Sequence, residues 1–301
     1  MSGGASSDRV GEAKALARAL DCWSGPVEPE QLTGGITNLN FRVSDGGKSY
    51  VVRIGEDIPV HGVLRFNEVN AARAACLAGI SPEVVHARPG VIVARFIEGG
   101  AAMTAEGIRA PGFVERFMPV LKACHRELPK HLRGPVIAFW VFHVLRDYAS
   151  RLREEGSPHA PKLDDLARCA EELEHAVGRI DLVFGHNDLL PGNIIDDGQR
   201  LWLIDWEYSG FNSPLFDLAN LASNSEFDEA RERHMLALYF EGPVDADLWR
   251  RYSAMKAASL LREAMWSMVS ELHSKLAFDY AAYTADYLAR FERAYQTFRQ
   301  I

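Results

Sequence analysis

The stretch GHNDLLPGN, residues 185–193, gathers His186, Asp188 and Asn193 around a Pro191-Gly192 break. Apolar Leu182-Val183-Phe184 precedes it and Ile194-Ile195 follows. That pattern reads as a polar loop held between two short buried strands. A carboxylate and a neutral amide five positions apart suit the transfer of a phosphoryl group to a hydroxyl. The carboxylate aligns the acceptor hydroxyl and takes its proton, a role for Asp188. The amide oxygen serves a hard cation such as Mg²⁺, which prefers oxygen ligands; Asn193 supplies it. His186 braces the loop backbone. Asp205 ends the apolar run Leu201-Trp202-Leu203-Ile204. A carboxylate at the end of a buried strand is a metal ligand on a rigid support. Taken singly, each residue is equally compatible with plain structure: Asp188 as a turn residue, Asn193 as a bend, Asp205 as the start of a turn.

The order of these groups carries more information than any one of them. H-x-D-x-x-x-x-N is the catalytic-loop spacing of the kinase fold. Upstream, Thr33-Gly34-Gly35 opens a hairpin, where glycines let backbone N–H groups approach phosphate oxygens; a plain turn explains them as well. Arg53 lies on the second hairpin strand and Glu68 on the helix that follows. That cation suits α/β-phosphates and the glutamate suits the cation. The plain alternative is a surface ion pair of little energetic weight.

The elements that must position these groups fall into two sets. Residues 8–21 read as a helix. Leu39, Phe41 and Val43 alternate with polar neighbours, Asp45-Gly46-Gly47 breaks the run and 50–54 resumes it, which is a hairpin. Residues 65–78 read as a helix closed by Gly79, and 83–87 and 91–97 as strands joined by Arg88-Pro89-Gly90. Glu98-Gly99-Gly100 reads as a joint. Beyond it helices are expected at 111–126, 136–155, 162–178, 215–223, 227–241, 245–272 and 277–299, with short strands around the polar loop in 182–205. The expected architecture is α+β and bilobal, protein-kinase-like. A small antiparallel-sheet lobe (1–98) binds nucleotide, and a large, mostly helical lobe (99–301) carries catalysis and the acceptor.

Composition bounds the rest. The 301 residues are 48% hydrophobic and 25% charged, with net charge −8 from 41 acidic and 33 basic residues, ordinary for a globular protein. No basic stripe marks a nucleic-acid binder. Cys22, Cys76, Cys124 and Cys169 are far apart and form no C-x-x-C pair, so they read as reduced thiols. The N-terminus has no apolar core of a signal peptide. The longest apolar stretch, around 135–145, is too short for a membrane span and contains His143. A cytoplasmic protein is expected. Oligomeric state and nucleotide preference leave no mark in the sequence.

Four stretches together resemble the choline/ethanolamine kinase family, within the aminoglycoside-phosphotransferase-like superfamily: LTGGITNLNFRV, YVVRIG, FGHNDLLPGNII and LIDWEYSGFNSPLFDLAN. They span about residues 32–220, with a weaker match to about 290. The most specific part is Ile204–Ser209 followed by Phe216–Asn220. Antibiotic kinases of the superfamily usually keep Lys where this chain has Arg53, and lack the D-[FW]-E-Y-S run. The resemblance implies ATP- and Mg²⁺-dependent phosphorylation of a small amino alcohol, of choline or ethanolamine type. It makes Asp188 the base, gives the metal to Asn193 and Asp205, and gives the phosphates to Arg53 and Glu68. It assigns Asp217 to bracing the catalytic loop, and the segment through Phe96 and Ile97 to the adenine site.

The same resemblance points to an acceptor site of aromatic faces, on which a cation is held by roughly 0.5–2 kcal/mol. Trp266 matches one family tryptophan, and Phe278, Tyr280 and Tyr283 fall where further aromatics are expected. Glu263 stands where the family has another tryptophan, on the same helix face as Trp266. A carboxylate there favours a primary ammonium, and Glu207 adds to the negative site. Trp266 in the core with Glu263 in solvent is the structural alternative. Two other functions remain open: a kinase of this fold for an aminoglycoside or sugar hydroxyl, and a regulatory nucleotide-binding pseudokinase. The latter should have lost Asp188, Asn193 or Asp205, and all three are present.

Overall fold

A computed structural model describes residues 3–32, 38–274 and 278–301, with backbone alone at 3–8. Helix α1 (Gly3–Arg18) precedes a five-stranded antiparallel sheet. Its strands are β1 (Glu30–Leu32), β2 (Leu39–Asp45), β3 (Lys48–Ile54), β4 (Val84–Arg88) and β5 (Val91–Arg95), in the order β1-β2-β3-β5-β4. The β2–β3 register pairs Asp45 with Lys48. Gly46 and Gly47 between them have φ of 56° and 73°, the two left-handed positions that a tight hairpin turn of the twist-matched type needs.

Period-two alternation gives this sheet its two faces. Phe41, Val43, Val52, Val91 and Val93 are buried against Ala13, Ala17 and Leu20 beside α1. Their neighbours Asn40, Val51, Arg53, Ile92 and Ala94 line a cleft on the opposite face. One slip of register would move Arg53 from the cleft into the apolar core.

Helix α2 (Arg65–Leu77) lies between β3 and β4 in sequence, but its Ala71, Ala74 and Ala75 belong to the larger core beyond the sheet. That core is helical: α3 (Ala105–Arg109), α4 (Phe113–Arg126), α5 (Val141–Glu154), α6 (Leu163–Val177), α7 (Pro214–Asn224), α8 (Glu229–Phe240), α9 (Ala246–His273) and α10 (Tyr280–Arg299). Helix α9 is buried on nearly every side from Tyr252 to Ser270 and packs on α5, α6, α7 and α10. A helix so placed is apolar or small all round, and Ala254, Ala257, Ala258 and Ser259 let its neighbours approach. Two small sheets complete the frame: β6 (Ala101–Ala102), β8 (Ile194–Asp196) and β9 (Leu201–Leu203) form one, and β7 (Val183–Gly185) with β10 (Gly210–Asn212) the other.

The expected elements are present with shifted ends. The helix expected at 136–155 begins only at Val141. Residues before it run extended, with Phe139 N–H donating to Phe211 O at 2.9 Å and Phe211 N–H to Ile137 O at 3.0 Å. Pro135 and the β-branched pair Val136-Ile137 favour that pairing over a helix. The expected strand 91–97 ends at Arg95, so Phe96 and Ile97 belong to the connection. Gly112, at φ 83°, separates α3 from α4. The start of the expected helix at 277 lies outside the described residues. The four cysteines are free thiols, Cys124 buried and the others half-buried. Among the described residues no helix is long and apolar enough to cross a membrane.

His61 ties the segment between sheet and α2 to the helices. Its Nδ1 lies 3.0 Å from the Tyr148 hydroxyl on α5, and its Nε2 3.0 Å from the Ser270 hydroxyl on α9. Burial, reinforced by the Arg262 charge, holds the imidazole at a pKa of about 3, below its usual 6.5. The unfolded chain therefore takes up a proton near pH 6.5 while the folded chain refuses it. Stability from this residue is complete above that pH and is lost as the pH falls toward 3. Between pH 7 and 5 the loss should be about 2 kcal/mol. Urea denaturation at both pH values reads it. In His61→Gln the drop should shrink by about that amount, and an unchanged drop would remove His61 as its source.

Candidate active site

The loop between β7 and β8 is fixed from beneath by α7. Both oxygens of Asp217 accept backbone N–H groups, Oδ2 from His186 at 2.8 Å and Oδ1 from Asn187 at 2.7 Å. His125 Nε2 lies 2.9 Å from the same Oδ2, and its Nδ1 lies 2.7 Å from the Tyr239 hydroxyl. Asn220 Oδ1 accepts from Leu189 N–H at 2.6 Å. Burial pushes the Asp217 carboxyl up, but His125 and the loop amides outweigh it and leave the group below the usual carboxylate range. Asn187, left-handed at φ 63°, uses its side-chain amide to donate to Tyr208 O and Gly210 O at 3.1 and 3.2 Å. His186 Nε2 lies 2.9 Å from Ile204 O, so this nitrogen carries the proton. Burial holds the ring below its usual pKa. His186 is thus a strut between the loop and the strand that presents Asp205.

Above this base stand the three groups singled out in the sequence. Asp188, 8% exposed, lines a cleft of about 680 Å³ together with Asn193 and Asp205. Asn193 Nδ2 donates to Asp188 O at 2.9 Å and to Asp188 Oδ2 at 3.2 Å. Those two bonds fix the amide and leave Oδ1 as its free acceptor. Burial drives the Asp188 carboxyl well above its usual pKa. Arg262 opposes that, while Glu263, Asp205 and Glu207 add to it. Asp205 sits at φ 68°, a left-handed backbone that costs about 1–3 kcal/mol for such a residue. Burial raises its pKa, but the Arg53 charge and hydrogen bond more than reverse this.

Arg53 is the centre of a buried charge network. Its Nη2 lies 2.5 Å from Asp205 Oδ1 and 2.9 Å from Glu207 Oε2. Its Nε lies 2.8 Å from Glu68 Oε1, an ion-pair contact with poor hydrogen-bond alignment. Arg65 Nη1 bridges Glu68 Oε2 at 2.6 Å and Glu207 Oε2 at 3.1 Å. Asn38 Nδ2 donates to the same Glu207 oxygen at 3.0 Å. Arg53 and Glu68 are therefore not a solvated surface pair. Glu207 lines the cleft, and its Oε2 is shared by Arg53, Arg65 and Asn38. Gly34 and Gly35 lie outside the described residues. Phe96 and Ile97 line the cleft near its apolar end, with Val51, Ile92 and Ile204.

At the other end, α9 and α10 contribute Glu263, Trp266 and Tyr283 to the lining. Trp266 Nε1 donates to the Tyr208 hydroxyl at 3.0 Å, and its ring lies 5.5 Å from His61 and 6.0 Å from Tyr283. Trp266 is both packed and cleft-facing. Glu263 is buried rather than solvated, 2.6 Å from Arg262 Nη1. Phe278 and Tyr280 do not line the cleft. Tyr280 is buried behind Trp266 with its hydroxyl donating to Ser274 Oγ at 2.7 Å, and Phe278, partly exposed, packs on Tyr280 and Tyr283. Sequence reasoning missed Arg65, Arg262 and Tyr208. Arg65 was within reach, since Arg65 and Glu68 share a helix face at i, i+3. Arg262 leaves one signal, a charge pair with Glu263 inside an otherwise small and apolar stretch.

Residues 29–235 match the family model described as choline/ethanolamine kinase. The chain belongs to the choline/ethanolamine kinase family. It is a small-molecule phosphotransferase with the protein-kinase-like architecture of that family. The crystal structure of a choline/ethanolamine kinase family protein from Mesorhizobium loti is similar over 94% of both chains, with 31% identity and a TM-score of 0.78. Protein LicA of Haemophilus influenzae is 26% identical over 84% of this chain and 76% of its own length. A probable ethanolamine kinase of Arabidopsis thaliana is 27% identical over the same shares.

Removing the Asp217 carboxylate would strand two backbone donors of the loop and a histidine. Asp217→Ala should lower stability by about 3–5 kcal/mol, read by urea denaturation. Turnover should fall with it even where the protein remains folded. Full activity would show that the loop holds its shape without Asp217.

Proposed function

We propose that the protein transfers the γ-phosphoryl group of ATP to the hydroxyl of a small amino alcohol, with Asp188 as the base. The observation that carries this is the convergence of Asp188, Asn193, Asp205 and Arg53 on one cleft with an apolar end and an aromatic end. The names of the similar proteins, a choline/ethanolamine kinase family protein and a probable ethanolamine kinase, support the acceptor class. The apolar end between Val51, Ile92, Phe96 and Ile97 suits a nucleobase. The division between the nucleotide-binding and acceptor-binding lobes is placed at Gly99.

In this reading Asp188 accepts the acceptor's hydroxyl proton as the oxygen bonds to the γ-phosphorus. The bond from that phosphorus to the β–γ bridging oxygen breaks, and ADP leaves. Arg53, held by Glu68, meets the phosphates. The donors near Asp188 suit Mg²⁺: Asn193 offers an amide oxygen fixed in orientation, and Asp205 keeps one oxygen not bonded to Arg53. Two protein oxygens are what this ion commonly takes, the remainder coming from phosphates and water. Asn193 and Asp205 would hold it, and when bound it neutralises phosphate charge. Among the described residues the one trio of metal-ligand types is Cys124, His125 and Asp217, whose His and Asp are occupied in bracing the loop.

Asp188→Asn should keep ATP binding within about threefold and lose turnover by about 10²-fold or more. Asp205→Ala should abolish Mg²⁺-dependent turnover. Coupled ADP release with ethanolamine and choline, beside nucleotide titration calorimetry, measures both. A fully active Asp188→Asn enzyme would remove Asp188 as the base.

A further inference from the structure

Beyond its charge near Asp188, Arg262 has no partner in the phosphoryl transfer just described, yet it is one of the most deeply buried charges in the protein, 2% exposed, and it lines the cleft beside Asp188 and Glu263. Of its donors, Nη1 is bonded to Glu263 Oε1 at 2.6 Å. Among the described residues, Nε and Nη2 have no hydrogen-bond partner. The guanidinium lies 4.5 Å from the Tyr208 ring centroid and 5.5 Å from that of Phe139. These rings hold its plane, and neither offers its edge an acceptor. The Tyr208 hydroxyl is already committed to Trp266 Nε1. Buried donors without acceptors are rare in folded proteins and call for a partner.

The two unpartnered nitrogens are adjacent on the guanidinium. Nε–H and one Nη2–H point the same way, in the side-on fork that receives both oxygens of a carboxylate. Glu263 is not a bare negative charge either. Its Oε1 holds Arg262, and its Oε2 has a long contact, 3.4 Å, from the Tyr283 hydroxyl. The cleft lining therefore sets a positive and a negative group side by side, with Nε and Nη2 of Arg262 buried rather than exposed. A simple amino alcohol answers only part of this. Its ammonium suits Glu263 and its hydroxyl goes to Asp188, which leaves nothing for Nε and Nη2.

We propose that the preferred acceptor is an amino alcohol that also bears a carboxylate, a small hydroxy-amino acid, bound with its carboxylate on the Nε–Nη2 edge of Arg262 and its ammonium toward Glu263. This rests on the kinase reading above and narrows its substrate. The same geometry explains the tryptophan-to-Glu263 departure. An aromatic face at that position receives a bare cation, whereas an Arg262–Glu263 pair receives a zwitterion.

The test uses acceptor pairs that differ by the carboxylate alone: L-serine against ethanolamine, and L-homoserine against 3-aminopropanol. ADP release is measured with Mg-ATP for the wild-type protein and for Arg262→Met and Arg262→Lys. In the wild type, kcat/KM should favour the carboxylate-bearing member of at least one pair by tenfold or more, the scale on which a site built for a polar group rejects the analogue lacking it. That ratio should collapse toward one in Arg262→Met and recover only partly in Arg262→Lys, whose ammonium lacks the fork. Turnover of ethanolamine or choline with no gain from the carboxylate would overturn this inference alone. No turnover on any acceptor would overturn the kinase reading with it. A wild-type preference that survives in Arg262→Met would take the role from Arg262. A uniform loss on all four acceptors with a raised KM for ATP would give Arg262 to the nucleotide instead. Should Arg262→Met fail to fold, the wild-type ratios and Arg262→Lys decide.

Discussion

The buried network of Arg53, Arg65, Glu68, Asp205 and Glu207 is the constraint on which the site depends. These five side chains come from β3, α2 and the turn after β9, far apart in sequence, and the sheet meets the helical core at their charges. Two cations face three carboxylates, so the cluster is one negative charge over. Taking such groups out of water costs several kcal/mol per ion, and it is repaid only where partners are close and the remaining hydrogen bonds are made. Removing either arginine would leave the cluster two negative charges over. The network is therefore better understood as fixing geometry than as adding stability. It holds the Asp205 carboxylate at a strained backbone position and sets the orientation of the cleft-facing side of β3.

A second support acts from below, and it is built from neutral and singly charged bonds. Asp217 and Asn220, three residues apart on α7, accept three backbone N–H groups of the loop 186–189. A loop in this position cannot satisfy its own amides, because Pro191 and the left-handed Asn187 prevent it from continuing either strand. Side chains of α7 supply the acceptors instead. Asp188 is then the one carboxylate of the loop left to point into the cleft, and Asn193 steadies it by donating twice. Rigid support of this kind lets a buried carboxyl keep a fixed position while its pKa is pulled upward by burial and tempered by Arg262.

The sheet strands, the hairpin turn and the polar loop between short strands were legible in the sequence because each is a local pattern. Alternation set Phe41 and Val43 apart from their polar neighbours, and both are core. The H-x-D-x-x-x-x-N spacing named Asp188 and Asn193 before their neighbours were known. Helix α9 was legible in extent, but not in the use of its charges. An arginine on a long helix reads as solvated, and only the packing of α5, α7 and α10 around α9 makes Arg262 a buried cleft residue. The partners of Glu207 were equally out of reach, since Arg65 is on a helix more than a hundred residues away in sequence. The helix start at Val141 was misplaced because the competing partner of residues 137–139 is Phe211, again distant in the chain.

The choice of arginine at position 53 follows from the same network. A lysine ammonium is a single point of charge with three donors on one atom. Arg53 instead presents Nε toward Glu68 and Nη2 toward Asp205 and Glu207, so its planar group reaches α2 on one edge and the carboxylates after β9 on the other. Glu207 makes that reach necessary: with a third carboxylate beside Asp205, a point charge would have to desert one partner to serve another. Arg65 and Asn38 share the remaining demand of Glu207, so Arg53 does not carry that carboxylate alone. The arginine on β3, the glutamate two residues past Asp205 and the arginine that opens α2 thus form a single arrangement, and a lysine at position 53 would require changes at the other two.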